Sequence, residues 1–203
     1  MRAVLFDMDG VLIHSEEAWF AAMNEVAVQV GSPLIPREVF DACWGQGVEE
    51  DARDHYGGLD PAHLELLYAE TVPRHLHHLT VPHPLILDQV RSLGLRVAVV
   101  TNTPQPLADL SLSLAGLRAE VVCAAGDAPA KPDPGLLRLA MRRLELRPDQ
   151  VVMVGDSPSD AGAAQAAGVR LIGVGQPGWR SIPDVGHLLG LDVFDAPPRL
   201  QGH

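Results

Sequence analysis

Five short runs, apolar almost throughout, constrain this chain more than any other feature: residues 3–6, 96–100, 121–124, 151–154 and 171–174. Each is too short and too unbroken for an amphipathic helix, and each reads as a strand covered on both faces, the kind found in parallel sheets. From residue 84 onward these runs alternate with helical patterns near 85–93, 105–115, 134–144 and 159–167. That alternation predicts an α/β fold with a Rossmann-like, doubly wound parallel sheet. Within it, Gly94, Gly116 and Gly168 are expected to stop helices, with Asp133 as an N-cap and Pro134 at the first helical position.

The first run is separated from the second by a long block of different character. Between residues 14 and 82 the pattern is helical only, with no convincing strand. A helix is predicted from Ser15, with Trp19, Met23, Val26 and Val30 on one face, then a short one over 36–43 and further helical pieces over 48–56 and 62–79. Asp60 is a candidate N-cap, and Pro73 is expected to kink or split the last helix. The domain reading is a core of residues 1–13 and 83–203 carrying an all-helical insertion over 14–82. Residues 176–203 are rich in Gly and Pro, with one short apolar run at Leu191-Asp192-Val193-Phe194.

With 203 residues, 47% of them hydrophobic, the chain can bury a full core. A formal charge of −11 with no basic run argues against nucleic acid and anionic membrane as partners. Cys43 and Cys123 lack metal-ligand spacing and read as buried thiols in a reducing compartment. No stretch approaches ~18 apolar residues, and no basic, apolar leader precedes the first strand, so a cytoplasmic protein is expected.

Three strands end in polar groups: Asp7-Met8-Asp9-Gly10, Thr101-Asn102 and Gly155-Asp156, with Lys131 between the last two. Parallel strands present their carboxyl ends on one edge, where ligands of such sheets bind. Asp7 and Asp156 suit a hard divalent cation, while Thr101 and Lys131 suit a phosphoryl oxygen. Taken singly, each group has a plain structural reading: a solvated turn at Asp7 to Gly10, a turn before Pro104, an exposed lysine, and an acid at Asp160 complementing a helix dipole.

Together these motifs resemble the haloacid dehalogenase superfamily, in particular its phosphatases with a helical cap inserted after the first strand, the branch of phosphoglycolate phosphatase and β-phosphoglucomutase. Asp7-Met8-Asp9-Gly10-Val11, Thr101-Asn102, Lys131-Pro132-Asp133-Pro134 and Gly155-Asp156-Ser157-Pro158-Ser159-Asp160 match its four motifs in order. The resemblance implies a first strand beside the fourth, with Asp7 and Asp156 on one Mg2+ ion together with the main-chain carbonyl of Asp9. It implies Asp7 as the nucleophile forming an aspartyl-phosphate, and Asp9 as acid and base. Thr101, the amide of Asn102 and Lys131 would bind the phosphoryl group, and Asp160 would support the metal site or Lys131. The substrate would be a small phosphorylated metabolite and the assembly a monomer or homodimer.

Beyond the motifs, Trp44-Gly45-Gln46-Gly47 resembles the family's cap loop over the substrate, with Trp44 and Gln46 as candidate contacts; a core tryptophan at a helix turn is the other reading. His14, at the exit from the first motif, is open to a hinge or an active-site role. His55, His63, His75, His77, His78 and His83 crowd the insertion and read as exposed or satisfied histidines. A phosphosugar mutase is the alternative function, but its usual cap histidine and arginine are replaced by Trp19 and Val48. A dehalogenase has no use for Asp9 or Asp156 in these roles. A non-catalytic binding protein is the reading least compatible with intact motifs.

Overall fold

The computed structural model describes residues 1–192; Val193 and Phe194 of the last apolar run lie outside the described residues. Its centre is a six-stranded parallel sheet. The strands are β1 (Ala3–Phe6), β2 (Arg96–Pro104), β3 (Val121–Ala125), β4 (Val151–Gly155), β5 (Arg170–Val174) and β6 (Arg180–Ile182), in the order β3-β2-β1-β4-β5-β6. The chain winds outward from β1 to β3, then returns to place β4 on the other flank of β1. The carboxyl ends of β1 and β4 therefore form the crevice where the winding reverses.

Strand pleating sorts the side chains onto two cores. Val4 and Phe6 of β1 join Val97, Val99, Val152 and Val154 against α5 (Ile86–Ser92), α6 (Gln105–Leu114) and a final 3-10 turn at Val185–Gly190. Ala3 and Leu5 point the other way, with Ala98, Val100 and Met153, onto α7 (Gly135–Arg143) and α8 (Pro158–Ala167). Leu5 and Phe6 are both fully buried, each contributing roughly 1.5–3 kcal/mol. Burial on both faces is why these strands read as unbroken apolar runs.

The insertion folds as α1 (Glu16–Val30), α2 (Arg37–Cys43), α3 (Val48–His55), α4 (Pro61–His75) and a 3-10 turn at Leu76–His78. A third buried cluster, including Met23, Val26, Phe40, Leu64, Tyr68 and Val72, holds these helices together, and Leu107 of α6 joins it from the sheet side. Asp60 caps α4 by accepting from the His63 N–H at 3.2 Å. Pro73 does not split α4, which continues to His75 before tightening into the 3-10 turn. It falls in the last turn, where little helix remains beyond it to interrupt.

Three further differences from the sequence reading have physical causes. β2 runs through Thr101, Asn102 and Thr103 to Pro104, with a register shift against β3, because these polar side chains find buried partners. β6 adds a sixth strand from a stretch without apolar periodicity, since only Ile182 of its three residues is buried. The helix after residue 131 begins at Gly135, and Asp133 caps it from outside by accepting the Gly135 N–H at 2.7 Å. Among the described residues no helix is long and apolar enough to cross a membrane.

Candidate active site

Asp7 follows directly on β1, its N–H donating to the Val154 carbonyl at 2.8 Å, so the ladder with β4 continues to the residue itself. The chain then turns tightly: the N–H groups of Leu12 and Ile13 both reach the Met8 carbonyl, and Gly10 donates to Ile13 at 2.8 Å. Gly10 holds φ +77°, and a Cβ there would stand 2.0 Å from Asp156 Oδ2. Gly10→Ala combines positive-φ strain with a clash, so a loss of roughly 1–3 kcal/mol of stability and displacement of Asp156 are expected. Thermal unfolding of the purified variant checks this; a parent-like melting temperature would show that the turn relaxes freely.

Four chain segments meet around Lys131. Its side chain is only 2% exposed, and Nζ lies 2.8 Å from Asp7 Oδ1 and 2.7 Å from Asp160 Oδ1. The other Asp160 oxygen accepts from the Ser157 N–H at 3.1 Å and its hydroxyl at 2.7 Å, while Ser157 in turn caps α8. Asp160 is thus fully engaged, joining the helix cap to the lysine. Burial alone would lower the Lys131 pKa, but Asp160 and Asp7 outweigh it and hold the ammonium charged.

The carboxylates respond to the same crowding. Burial first, then the Asp160 and Asp156 charges, push Asp7 well above the ordinary range, with Lys131 acting the other way. Asp156 is pushed up to about 7 by burial, then by Asp160, with the Trp44 hydrogen bond opposing. Carboxylate oxygens of Asp7, Asp156 and Asp160 lie within 4.8 Å of one another. Three acids against one lysine leave a formal charge of −2. Asp156 Oδ1 is buried with no hydrogen-bond partner, a costly arrangement unless a cation takes it up. The donor set, hard carboxylate oxygens with one orphaned, fits a divalent ion such as magnesium.

Asp9 is held from three sides. Its Oδ2 accepts from Thr103 at 2.7 Å and from Thr101 at 3.4 Å, and its Oδ1 from the Ser15 hydroxyl at 2.5 Å. Asn102 does not face the acids with its side chain. It accepts from the Lys131 N–H at 2.8 Å and donates to the carbonyls of Lys131 (2.8 Å) and Gly45 (3.0 Å), fastening two loops together.

Over these groups sits the turn between α2 and α3. Trp44 Nε1 donates to Asp156 Oδ2 at 3.1 Å, so this tryptophan reaches the acids instead of serving only as core. Gly45 packs where a Cβ would come within 2.7 Å of Ser157 Cβ, a close approach open only to glycine at its φ of +85°. Gln46 donates to Asp51 Oδ1 at 3.2 Å. Together with Trp19, Met23, Phe40 and Tyr68, these line a cavity of about 70 Å³ that also holds Asp7, Asp9, Thr101 and Lys131.

A family model described as haloacid dehalogenase-like hydrolase matches residues 4–174. The chain belongs to this family. A phosphoglycolate phosphatase from Rhodospirillum rubrum is 34% identical over 96% of this chain and 87% of its own length. A plasmid-borne phosphoglycolate phosphatase from Cupriavidus necator is 36% identical over 82% of this chain and 78% of its own. Among solved structures, CbbY from Rhodobacter sphaeroides in complex with phosphate superposes with a TM-score of 0.82 and 26% identity, covering 97% of this chain and all of that one. The protein is an enzyme, a haloacid dehalogenase-like hydrolase of the phosphatase type.

Some sequence expectations place differently in this hydrolase. His14 is exposed and does not line the cavity; its main chain pairs with Thr80 at 2.9 and 3.1 Å, where the chain enters and leaves the helical block. Cys43 is only half buried and lines the cavity, in contrast to Cys123. His75 and His83 are paired with Glu25 and Asp184, but His55 Nε2 is buried without a partner and lies within 4.8 Å of Cys43 and Asp51 ligand atoms. Asp51 and His55 are four residues apart on α3, a spacing that could have flagged them.

Ser15, Thr103, Gln176 and Asp51 join the site from outside the four motifs. Gln176 Nε2 donates to the carbonyls of Gly155 (3.2 Å) and Ser157 (2.9 Å), bracing the loop that carries Asp156. Beside the Asp51 spacing, Thr103 has a signal, lying two residues from Thr101 on a strand and so facing the same side.

Proposed function

We propose that this hydrolase cleaves phosphate monoesters of small metabolites with Mg2+, through an aspartyl-phosphate on Asp7. The observation that carries the reading is Asp7 held against Lys131 on the cavity floor, beside the orphaned Asp156 Oδ1. Among the described residues no protein donor reaches Asp7 Oδ2, which leaves that oxygen as the attacking atom. It forms a bond to phosphorus while the ester P–O bond breaks and the leaving alkoxide takes the Asp9 proton. Water then attacks the aspartyl-phosphate, gives its proton to Asp9, and releases phosphate and the free Asp7 carboxylate. Ser15, Thr101 and Thr103 hold Asp9 in place for both transfers.

Thr101, the Asn102 amide and Lys131 are assigned to the phosphoryl oxygens, and Asp160 to positioning Lys131. Asp7, Asp156 and the Asp9 carbonyl would hold the magnesium, which supplies positive charge that offsets the acids and the phosphoryl group. Residues 14–82 form the cap that excludes water, over a core of 1–13 and 83–203. The relatives named for phosphoglycolate support a small metabolite ester as the substrate class. Trp19 and Val48, lining the cavity, favour hydrolysis over the mutase alternative.

Phosphate release from an ester panel with magnesium, against excess chelator, tests the reading. Activity restricted to the magnesium arm is expected, and full turnover in chelator would remove the metal assignment. A second readout needs no turnover. A folded-state pKa raised from 3.8 to about 7 means Asp156 contributes stability fully below about pH 4, and that contribution is lost as pH rises through 7. Metal-free parent should therefore lose more stability between pH 4 and 8 than Asp156→Asn, and magnesium should restore part of it at pH 8. Parallel pH profiles for the two proteins would show that Asp156 carries no such burden.

A further inference from the structure

Among the described residues two groups of three side chains bring candidate metal ligands within 4.8 Å of one another. One is the acid cluster of Asp7, Asp156 and Asp160. The other lies in the cap and joins Cys43, the last residue of α2, to Asp51 and His55 on α3. Asp51 and His55 are four residues apart and share a helix face, and the fold sets Cys43 beside it.

Ordinary packing does not account for His55. Its Nε2 is buried with no hydrogen-bond partner, although the ring meets Tyr56 edge-on at 6.4 Å between centroids. An orphaned buried nitrogen costs about 1–3 kcal/mol unless something takes it up. Burial lowers the His55 pKa and so favours the neutral ring, the form that ligates metals. Asp51 is held as an oriented ligand would be. Its Oδ2 accepts from the Tyr68 hydroxyl at 3.0 Å and its Oδ1 from Gln46 Nε2 at 3.2 Å, which leaves about two of four acceptor positions open. The Tyr68 hydroxyl also meets that of Tyr56 at 3.3 Å, so buried hydroxyls fix the carboxylate from behind. The Cys43 thiol donates to the Phe40 carbonyl of its own helix at 3.3 Å.

From these we infer that the cap carries a second cation site, on Cys43 Sγ, Asp51 and His55, for a borderline-soft divalent ion of the zinc class. One sulfur, one nitrogen and one oxygen suit zinc, whereas magnesium takes hard oxygen ligands and belongs with the acids. A thiolate, a carboxylate and a neutral imidazole bring two negative charges, so a divalent ion closes the buried cluster at net zero charge. Burial first, then Asp51, push the Cys43 thiol up to about 11, and its proton passes to solvent as the sulfur binds. Tetrahedral zinc sets ligand atoms about 3.3–3.6 Å apart, so the three side chains close by roughly 1 Å. Cys43 and Asp51 line the cavity, so the ion stands in its wall. It ties α2 to α3 on both sides of the turn that carries Trp44 onto Asp156. The proposed phosphatase chemistry uses none of the three ligands, so its failure would leave this site standing.

The test adds zinc, and separately cobalt(II), to the full chain in excess magnesium, which keeps the acid cluster supplied. One equivalent of zinc per chain and a thiolate-to-cobalt charge-transfer band are expected. Zinc should also slow alkylation of Cys43 by iodoacetamide at least about ten-fold. Cys43→Ser should abolish the band, His55→Ala should weaken zinc binding about ten-fold or more, and Cys123→Ser should change neither. Should a variant fail to fold, alkylation of the parent decides, because it needs no substitution. No thiolate band, or alkylation of Cys43 indifferent to zinc, would overturn the site. A band surviving Cys43→Ser would place the sulfur at Cys123. Zinc affinity lost in His77→Ala but kept in His55→Ala would move binding to the His77 and His78 rings, 3.9 Å apart between centroids. Either of these results would overturn the site as well.

Discussion

Asp7→Asn is expected to lower phosphate release by at least about a thousand-fold, some 4 kcal/mol of transition-state stabilisation, while the protein still folds. An amide oxygen shares its electron pair with nitrogen and cannot replace a carboxylate as the group that bonds to phosphorus. The fold survives because the change is isosteric and the main chain of Asp7 keeps its bond to Val154. Lys131 also keeps Asp160 at 2.7 Å. Burial and neighbouring acids already disfavour the Asp7 charge, so its removal should leave the melting temperature unchanged or slightly raised. Phosphate release and thermal unfolding on one preparation check both halves. If a tenth of the parent rate remained, Asp7 would be a ligand only, and water would be the attacking group.

Lys131→Met is expected to cost stability as well as turnover. Methionine fills the space of the lysine stem, so the loss is electrostatic: Asp7 and Asp160 would be left buried without their cation, beside Asp156. Removing one partner of a buried ion pair costs about 3–5 kcal/mol, far more than the pair itself contributes over an apolar replacement. The deficit should be largest near pH 8 and shrink toward pH 5, because Asp7 and Asp156, whose pKa values are already raised, can take up protons in the folded state. Urea unfolding of parent and variant at the two pH values measures this. A loss below about 1 kcal/mol at pH 8 would mean that water enters the site and screens the acids.

These effects concentrate at residues whose place could be read from local sequence. A strand buried on both faces must be apolar until it reaches its edge, so the first polar residues after 3–6 and 151–154 had to surface near Asp7 and Asp156, and the parallel sheet puts both ends on one side. Lys131 and Asp160 were legible through their place in the third and fourth motifs, since the distances joining them to Asp7 depend on how α7 and α8 dock.

What the local pattern could not carry is anything set by a partner distant along the chain. Thr101 and Thr103 share a face of β2, but only the fold brings Asp9 onto that face. Trp44 meets Asp156 across 112 residues, because the insertion closes over the sheet edge, and nothing in the order Trp44-Gly45-Gln46-Gly47 distinguishes that contact from core packing. β6 is a strand because β5 offers it an edge, with one buried side chain to mark it. His14 turns outward because its main chain pairs with Thr80. Asp51 sits in an ordinary acidic helix and becomes a cavity wall only when α3 packs its Val48 and Ala52 face into the cap cluster. Sequence by itself determined the first five strands, their order of chemistry and the four motifs, because burial and turn formation act on neighbouring residues; tertiary structure alone decided the sixth strand and which side chains face each other across the cavity, because edge pairing and helix docking depend on surfaces that meet only in the folded chain.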